Sequence, residues 1–193
     1  MLRTQFEEDL LNLHNQFYEM GMLVSKAIHN SVQAYVKHDR RLAEEVIAQD
    51  EMINQLEVRL EKKSFEMIAL QQPVTTDLRR IITVMKASSD LERMGDHAVS
   101  IAKSTIRVKG ENRIPEIEKE MKDMSDYVKK MVDNVLIAYV KTDKDDAKLI
   151  AKMDDQVNEW YSNIYYQTIE AMKNDSELIV MGTEYINIAQ YLE

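Results

Sequence analysis

The chain of 193 residues contains no cysteine, which excludes disulfide bonds and metal sites built on thiolates. Glycine and proline are scarce, at four and two residues, so turns are few and the elements between them must be long. The longest unbroken apolar run, Val135 to Val140, is far shorter than the ~20 residues of a membrane-spanning helix. The first residues lack the apolar stretch of a signal peptide. Together these absences predict a soluble, cytoplasmic, all-α protein.

Catalytic motifs are missing as well. The residues three positions before the four histidines are Leu11, Lys26, Tyr35 and Met94, so the Glu-x-x-His pair of ferritin-like enzymes does not occur. The chain has no glycine-rich phosphate loop and no recognisable nucleophile arrangement. A net charge of −9 argues against nucleic acid as a partner. The sequence therefore indicates a binding or regulatory protein, not an enzyme.

Apolar residues that recur at steps of three and four predict six helices. Asp39 is placed to cap the second helix, Pro73 follows its end, and Pro115 suits the first turn of the fourth. Gly110 to Asn112 is the clearest boundary between elements. The predicted helices span approximately residues 3–37, 40–71, 78–109, 115–141, 144–173 and 176 to 193.

The second half of the chain repeats the first. With a shift of 104, residues 30–39 align with residues 134–143 and share Asn, the block Ala-Tyr-Val-Lys and Asp. With a shift of 101, residues 90–92 align with 191–193. Similarity at this distance indicates a domain duplication and not a solenoid repeat. We therefore expect two tandem three-helix up-down bundles, over residues 1–109 and 113–193.

Glu92 and Asp96 interrupt an apolar stripe on the third predicted helix. Residues four apart share a helix face, so the two carboxylates are predicted to point the same way from within the stripe. Buried charge is costly unless it is paired or bound to a cation. The apolar or small members of this stripe are Leu78, Ile81, Met85, Ser88, Val99, Ala102 and Ile106.

Acidic residues of the second helix are predicted to meet this pair. In an antiparallel hairpin, residues equally distant from the turn lie at the same depth, and the same argument applies to the second repeat. Carboxylate and amide oxygens gathered at one level suit hard or borderline cations. The predicted metal ligands are Asp50, Asn54, Glu92 and Asp96 in the first repeat, and Asp154, Asn158 and Glu193 in the second.

Two alternatives remain open from the residues alone. Asp50 and Asn54 also extend a polar stripe with Glu57 and Glu61 that would face water or pair with neighbouring arginines. His97 would be a metal ligand or a hydrogen-bond donor to a ligand, or else a partly buried histidine bonded to a carbonyl.

Two motifs resemble the PhoU family, the accessory and regulatory proteins of the phosphate-specific transport system. Residues 72–79 read Gln-Pro-Val-Thr-Thr-Asp-Leu-Arg, and the family pattern is Gln-Pro-x-x-x-Asp-Leu-Arg. Residues 91–97 read Leu-Glu-Arg-Met-Gly-Asp-His, and the family pattern is Leu-Glu-Arg-x-Gly-Asp-His. The resemblance extends over the whole chain, including its duplication.

The resemblance implies a function as well as a fold. It implies metal clusters on Glu/Asp-x-x-x-Asp motifs, with iron expected first and zinc, manganese or magnesium as alternatives. It implies negative regulation of phosphate uptake and of phosphate-starvation transcription, without membrane insertion. The implied partners are the transporter's ATPase subunit and a phosphate-sensing histidine kinase, and a homodimer is expected.

The chain departs from the family pattern in two places. Asn54 and Asn158 stand where the family usually has Asp, so each ligand set carries less charge. The second repeat stops at Glu193, before the expected Arg-x-Gly-Asp-His, and is expected to be truncated with an incomplete second site. Two competing hypotheses are a metal-free helical adaptor that binds only proteins and a carboxylate-bridged metalloenzyme.

Overall fold

The computed structural model describes residues 2–108 and 112–193, and within these ranges every regular element is a helix. The absence of strands there confirms the predicted all-α class. A single 3-10 turn, Ser176–Leu178, precedes the last helix. The helices are α1 (Leu2–Lys37), α2 (Arg40–Gln71), α3 (Thr75–Arg107), α4 (Pro115–Lys141), α5 (Lys144–Ala151), α6 (Asp154–Asn174) and α7 (Ile179–Leu192).

Most predicted helix boundaries agree with the structure. Asp39 caps α2 by accepting a hydrogen bond from the backbone amide of Leu42, and Pro115 begins α4. The predicted fifth helix is wrong as a single element, because it is interrupted at Lys152 and Met153. There each amide bonds to the carbonyl three residues earlier, which tightens the turn and separates α5 from α6. Within the predicted linker, Gly110 and Glu111 lie outside the described residues.

The first three helices pack on one another, and α4, α6 and α7 form a second group of the same kind. The two groups meet along α1 and α4 and along α3 and α7. Ser25 of α1 bonds to Asp133 of α4, whereas His29, one turn further along, pairs with Asp126. The residue number on α4 falls as the residue number on α1 rises, so the two helices are antiparallel. The α2–α3 and α6–α7 hairpin turns consequently lie at opposite ends of the molecule.

A glycine sets the distance between the two groups. A Cβ atom added at Gly21 would lie 2.5 Å from Cδ2 of Leu136, closer than real Cβ contacts. The missing side chain thus lets Leu136, which is itself buried, fill the space against the α1 backbone. The same close contact joins the two repeats into one continuous hydrophobic core.

A buried carboxylate fixes the segment that follows the linker. Glu118 is only 6% exposed, and its Oε1 accepts hydrogen bonds from Nε of Arg113 at 2.7 Å and from the hydroxyl of Tyr185 at 2.9 Å. Arg113 also donates to the carbonyl of Val36 at the end of α1. The Tyr185 hydroxyl accepts from the Ile114 amide at 3.0 Å. One charge pair therefore connects α1, α4 and α7.

The Gly21 contact gives a prediction about stability. We expect Gly21→Ala to lower the free energy of unfolding by about 1–3 kcal/mol, because the added methyl group overpacks Leu136. In a Leu136→Ala background the same change should be stabilising by up to about 1 kcal/mol, since alanine favours helix over glycine. Urea unfolding followed by circular dichroism measures both. Equal effects in the two backgrounds would contradict the contact.

A second prediction concerns Glu118. Glu118→Ala removes the partner of Arg113 and the acceptor of the Tyr185 hydroxyl, so we expect a loss of about 3 kcal/mol in the free energy of unfolding. Glu116→Ala, an exposed position on the same helix, serves as the control and should change stability by less than about 0.5 kcal/mol. Comparable losses for the two variants would show that the buried network does not stabilise the junction.

Candidate metal centre

The buried face of α3 is rotated from the predicted one. Its seam passes through Leu91 and Gly95, whereas Glu92 is half-buried and Asp96 is exposed. Each acid follows a buried residue by one position, which turns it about 100° around the helix axis. The prediction that both carboxylates project from within the apolar stripe is therefore wrong. They lie at its edge, on the side of α3 that faces α2.

On α2, Asp50 and Asn54 are half-buried and bonded to each other. Nδ2 of Asn54 donates to Oδ2 of Asp50 at 3.2 Å. The remaining side-chain oxygens, Oδ1 of each, are buried without a hydrogen-bond partner among the described residues. Buried acceptors without a donor are uncommon and costly in native proteins, so these two oxygens call for a further partner.

Gly95 brings the acids of α2 and α3 together. A Cβ atom at this position would lie 3.3 Å from Oδ1 of Asp50 and 3.3 Å from Cδ1 of Ile53. Asp50 therefore lies directly over the α3 backbone, between Glu92 and Asp96 in the sequence. The structure thus brings Asp50, Asn54, Glu92 and Asp96 to one level of the α2–α3 groove, as the hairpin argument predicts.

The resulting site is strongly negative. Burial raises the pKa of Asp50, and the charge of Asp96 raises it further. Burial likewise raises the pKa of Glu92, with added repulsion from Asp96, Glu57 and Asp50. The positive charge of Lys103 lowers the pKa of Asp50, but by less than burial and the charge of Asp96 raise it. A cation placed here would relieve repulsion that Asn54 and Lys103 offset only in part.

Two neighbours of this site were not predicted as part of it. Glu57 follows Asn54 by three positions and contributes repulsion to Glu92, and Lys103 follows Asp96 by seven and acts on Asp50. Both spacings keep a residue on the same helix face. The polar stripe of the sequence already contained Glu57, and the same period on α3 would have indicated Lys103. Lys103 makes the site less negative than the predicted ligand set.

His97 belongs to the packing between the repeats. Its Nδ1 lies 3.3 Å from the carbonyl oxygen of Tyr191, and the two rings meet edge-on at 5.4 Å between centroids. Since a carbonyl only accepts, Nδ1 carries the proton. His97 is therefore a partly buried histidine bonded to a carbonyl, which is the second of the two interpretations offered by the sequence.

The second predicted site is open to solvent. Nδ2 of Asn158 donates to Oδ2 of Asp154 at 3.2 Å, which reproduces the Asp50–Asn54 pair, but both residues and Glu193 are exposed. Asp154 and Glu193 line one cleft of about 300 Å³ between the repeats, whereas Asn158 lies outside it. Asp154 is therefore bonded to Asn158 and shares the cleft with Glu193, but all three side chains are exposed to solvent.

The chemistry of the first site suits a metal better than its geometry does. Asp50, Asn54, Glu92 and Asp96 offer oxygen donors of the kind that hard and borderline cations bind. Across residues 2–108 and 112–193, however, no three His, Asp or Glu side chains are arranged to hold one ion together. Water or side-chain movement would have to complete a coordination shell.

The raised pKa of Asp50 predicts a pH-dependent stability. Ionised Asp50 destabilises the folded state, so its penalty is present at neutral pH and disappears as the pH falls below the ordinary aspartate range near ~4. In chelator, we expect Asp50→Asn to raise the free energy of unfolding by about 0.5–1 kcal/mol at about pH 7, a discounted figure because solvent screens a half-exposed group. At about pH 3.5 the gain should vanish.

Denaturant titrations at the two pH values measure this difference. The amide oxygen can still accept the hydrogen bond from Asn54, so the variant removes mainly the charge. Asp155→Asn, at an exposed position on α6, is the control and should leave stability unchanged at both pH values. A gain that persists unchanged at acidic pH would contradict the electrostatic origin.

Comparison with known proteins identifies the family. The model of the PhoU domain matches residues 17–105 and 121–193, one segment in each predicted repeat. A phosphate-specific transport system accessory protein PhoU homolog of Clostridium acetobutylicum is 38% identical over 194 residues, which cover 100% of this chain and 88% of that protein. The corresponding protein of Streptococcus pneumoniae is 34% identical, with the same coverage.

Solved structures show the same fold. The crystal structure of PhoU from Pseudomonas aeruginosa superposes with a TM-score of 0.92 at 30% identity, over 97% of this chain and 90% of that one. The phosphate transport system regulatory protein PhoU from Streptococcus pneumoniae gives a TM-score of 0.84 at 29% identity, over 97% and 91%. These relatives are named as accessory or regulatory proteins, and the family is non-enzymatic, as the missing catalytic motifs predicted. This chain belongs to the PhoU family.

Proposed function

We propose that this chain is a cytoplasmic accessory protein of a phosphate-specific transport system, and that it negatively regulates phosphate uptake and phosphate-starvation transcription. The observation that carries the proposal is 38% identity, over the full chain, to a protein named for that role. The described part of the chain contains no helix with the length and apolar character needed to cross a bilayer. We propose that regulation acts through contact with other proteins.

We further propose that Asp50, Asn54, Glu92 and Asp96 hold a cation, with iron as the first candidate and zinc, manganese or magnesium as alternatives. The two unpartnered oxygens of Asp50 and Asn54 and the raised pKa values of Asp50 and Glu92 support this proposal. The cation would supply positive charge. The residues themselves would hold α2 and α3 at a fixed distance, so binding would stabilise the bundle by linkage.

The second repeat would offer a weaker site. Asp154, Asn158 and Glu193 are exposed, and exposed ligands bind a cation in competition with bulk water. We propose that this site adds to the first and does not replace it.

The partners proposed are the ATPase subunit of the transporter and a phosphate-sensing histidine kinase, with the protein itself as a homodimer. A cation that stabilises one arrangement of α2 and α3 would bias which partner is bound, provided that the partners prefer different arrangements. A net charge of −9 is consistent with proteins, and not nucleic acid, as the partners.

Metal content gives the direct test. We expect the purified chain to retain a stoichiometric metal in elemental analysis, and the Glu92→Ala/Asp96→Ala double variant to lose most of it, because two of three carboxylate ligands are removed. Added iron or zinc should raise the melting temperature of the unsubstituted chain and not of the double variant.

Glu116→Ala/Glu120→Ala is the matched control, since it removes two carboxylates four residues apart on α4, away from the site. Its metal content and thermal shift should equal those of the unsubstituted chain. Equal metal in all three proteins would refute the proposed site.

A metal-free adaptor is the second candidate. It is favoured by the lack of any group of three His, Asp or Glu side chains arranged around one point in the described ranges, and by Lys103, which partly offsets the charge on Asp50. In that case the double variant would be more stable than the unsubstituted chain and would lose no metal, because like charges would have been removed.

A further inference from the structure

The turn between α2 and α3 carries features that the carboxylate site does not explain. We name residues 70–80 the α2–α3 tip. Leu70 is 81% exposed, the most exposed large apolar side chain in the described ranges, and Val74 is 73% exposed. The tip includes the first of the two sequence motifs, residues 72–79, which lies at the far end of the hairpin from Asp50 and Glu92.

The tip has an unusual backbone. Gln72 and Thr75 adopt positive φ angles of 48° and 46°, a left-handed conformation that glycine adopts freely. For Thr75 it is particularly unfavourable because the side chain is branched at Cβ. Gln72 is the left-handed cap that ends α2, as Thr142 ends α4, so the strained conformation that is particular to the tip is that of Thr75 at the start of α3.

A partly exposed carboxylate holds the end of α2 against α1. Asp9 of α1 accepts a hydrogen bond from Nε2 of Gln71 at 2.8 Å and pairs with Nζ of Lys63 at 2.7 Å. The hydrogen bond from Lys63 is the main reason that the pKa of Asp9 is lowered. The end of α2 is thereby fixed to α1 while Leu70 and Val74 remain outside, so the apolar side chains are presented on a rigid support. Pre-organisation of this kind reduces the entropy lost on binding.

The charge around the tip is opposite to that of the whole protein. Within the tip, residues 70–80, Arg79 and Arg80 outnumber Asp77, although the whole chain has a net charge of −9. Arg80 lies 3.8 Å from Asp77, whereas Arg79 is exposed and forms no ion pair within the described ranges. An apolar projection beside free positive charge complements an apolar pocket with an acidic rim.

The other hairpin turn provides an internal comparison. With the shift of 101, Val74 and Thr76 correspond to Asp175 and Glu177, so the α6–α7 turn is acidic. It still exposes Ile179 by 51% and Val180 by 73%. The two turns therefore expose similar apolar side chains but differ in charge. If binding depends on the α2–α3 tip and not on exposed apolar residues in general, only substitutions at this tip should weaken it.

We propose that the α2–α3 tip is the docking element for a protein partner, with Leu70 and Val74 in an apolar pocket and Arg79 against its acidic rim. A lipid surface is the poorer match, because two side chains inserted among lipid headgroups bury too little apolar area for stable binding. The proposal rests on the proposed function in one respect: the partner to be tested is the ATPase subunit of the transporter.

Binding of the full chain to the purified ATPase subunit, measured by calorimetry, tests the docking element. We expect Leu70→Ser/Val74→Ser to weaken the Kd by about tenfold or more, as loss of central apolar contacts does. Arg79→Glu should weaken binding and reduce its dependence on salt. Ile179→Ser/Val180→Ser, the matched control on the other turn, should change the Kd by less than about twofold.

The outcomes separate the two proposals. If the unsubstituted chain binds and the Leu70→Ser/Val74→Ser variant binds equally well, the docking element is wrong and the proposed partner stands. If the unsubstituted chain does not bind the ATPase subunit, the partner and the docking element both fail. Sedimentation with phosphatidylglycerol vesicles that is lost in the same variant would assign the tip to a membrane and overturn the protein docking. All substituted positions are exposed, so the variants should retain the helical circular dichroism spectrum.

Discussion

The arrangement of the two repeats depends on the contact between α1 and α4. Leu136 lies against α1 where Gly21 has no side chain, and the two helices run antiparallel along this line. The contact places α3 beside α7, where His97 and Ser104 bond across the interface. It also leaves the α2–α3 groove on another side of the first bundle, so the carboxylate residues are not used in joining the repeats.

Two sets of acidic residues show how differently a folded chain treats buried charge. Glu118 is almost fully buried, and an arginine and a tyrosine hydroxyl satisfy it. Asp50 is less buried, yet one of its oxygens has no donor in the described part of the chain and its nearest charges are mostly negative. The first arrangement stabilises the junction of the repeats. The second destabilises the folded chain when Asp50 is ionised, as its raised pKa indicates, and it is the place where we propose that a cation binds.

Much of the architecture could be predicted because it follows from local rules. Asp39 and Pro115 mark helix starts through side-chain capping and restricted backbone geometry, which depend only on neighbouring residues. The level shared by Asp50 and Glu92 follows from counting residues on either side of one turn. The break between α5 and α6 was not predictable in this way, because Lys152 and Met153 are ordinary helix formers and no glycine or proline marks the change.

The sequence by itself determined the helical class, the duplication, the family motifs and which acidic residues share a level. Only the tertiary structure decided which way α3 faces. Apolar residues at steps of three and four can be read as a stripe through Glu92 or as a stripe through Leu91. Both readings fit the helical period, because Leu91 and Glu92 are neighbours on the same helix. The packing of α1 and α2 against Leu91 and Gly95 selects the second, and thereby sets Glu92 and Asp96 at the edge of the groove, within reach of solvent.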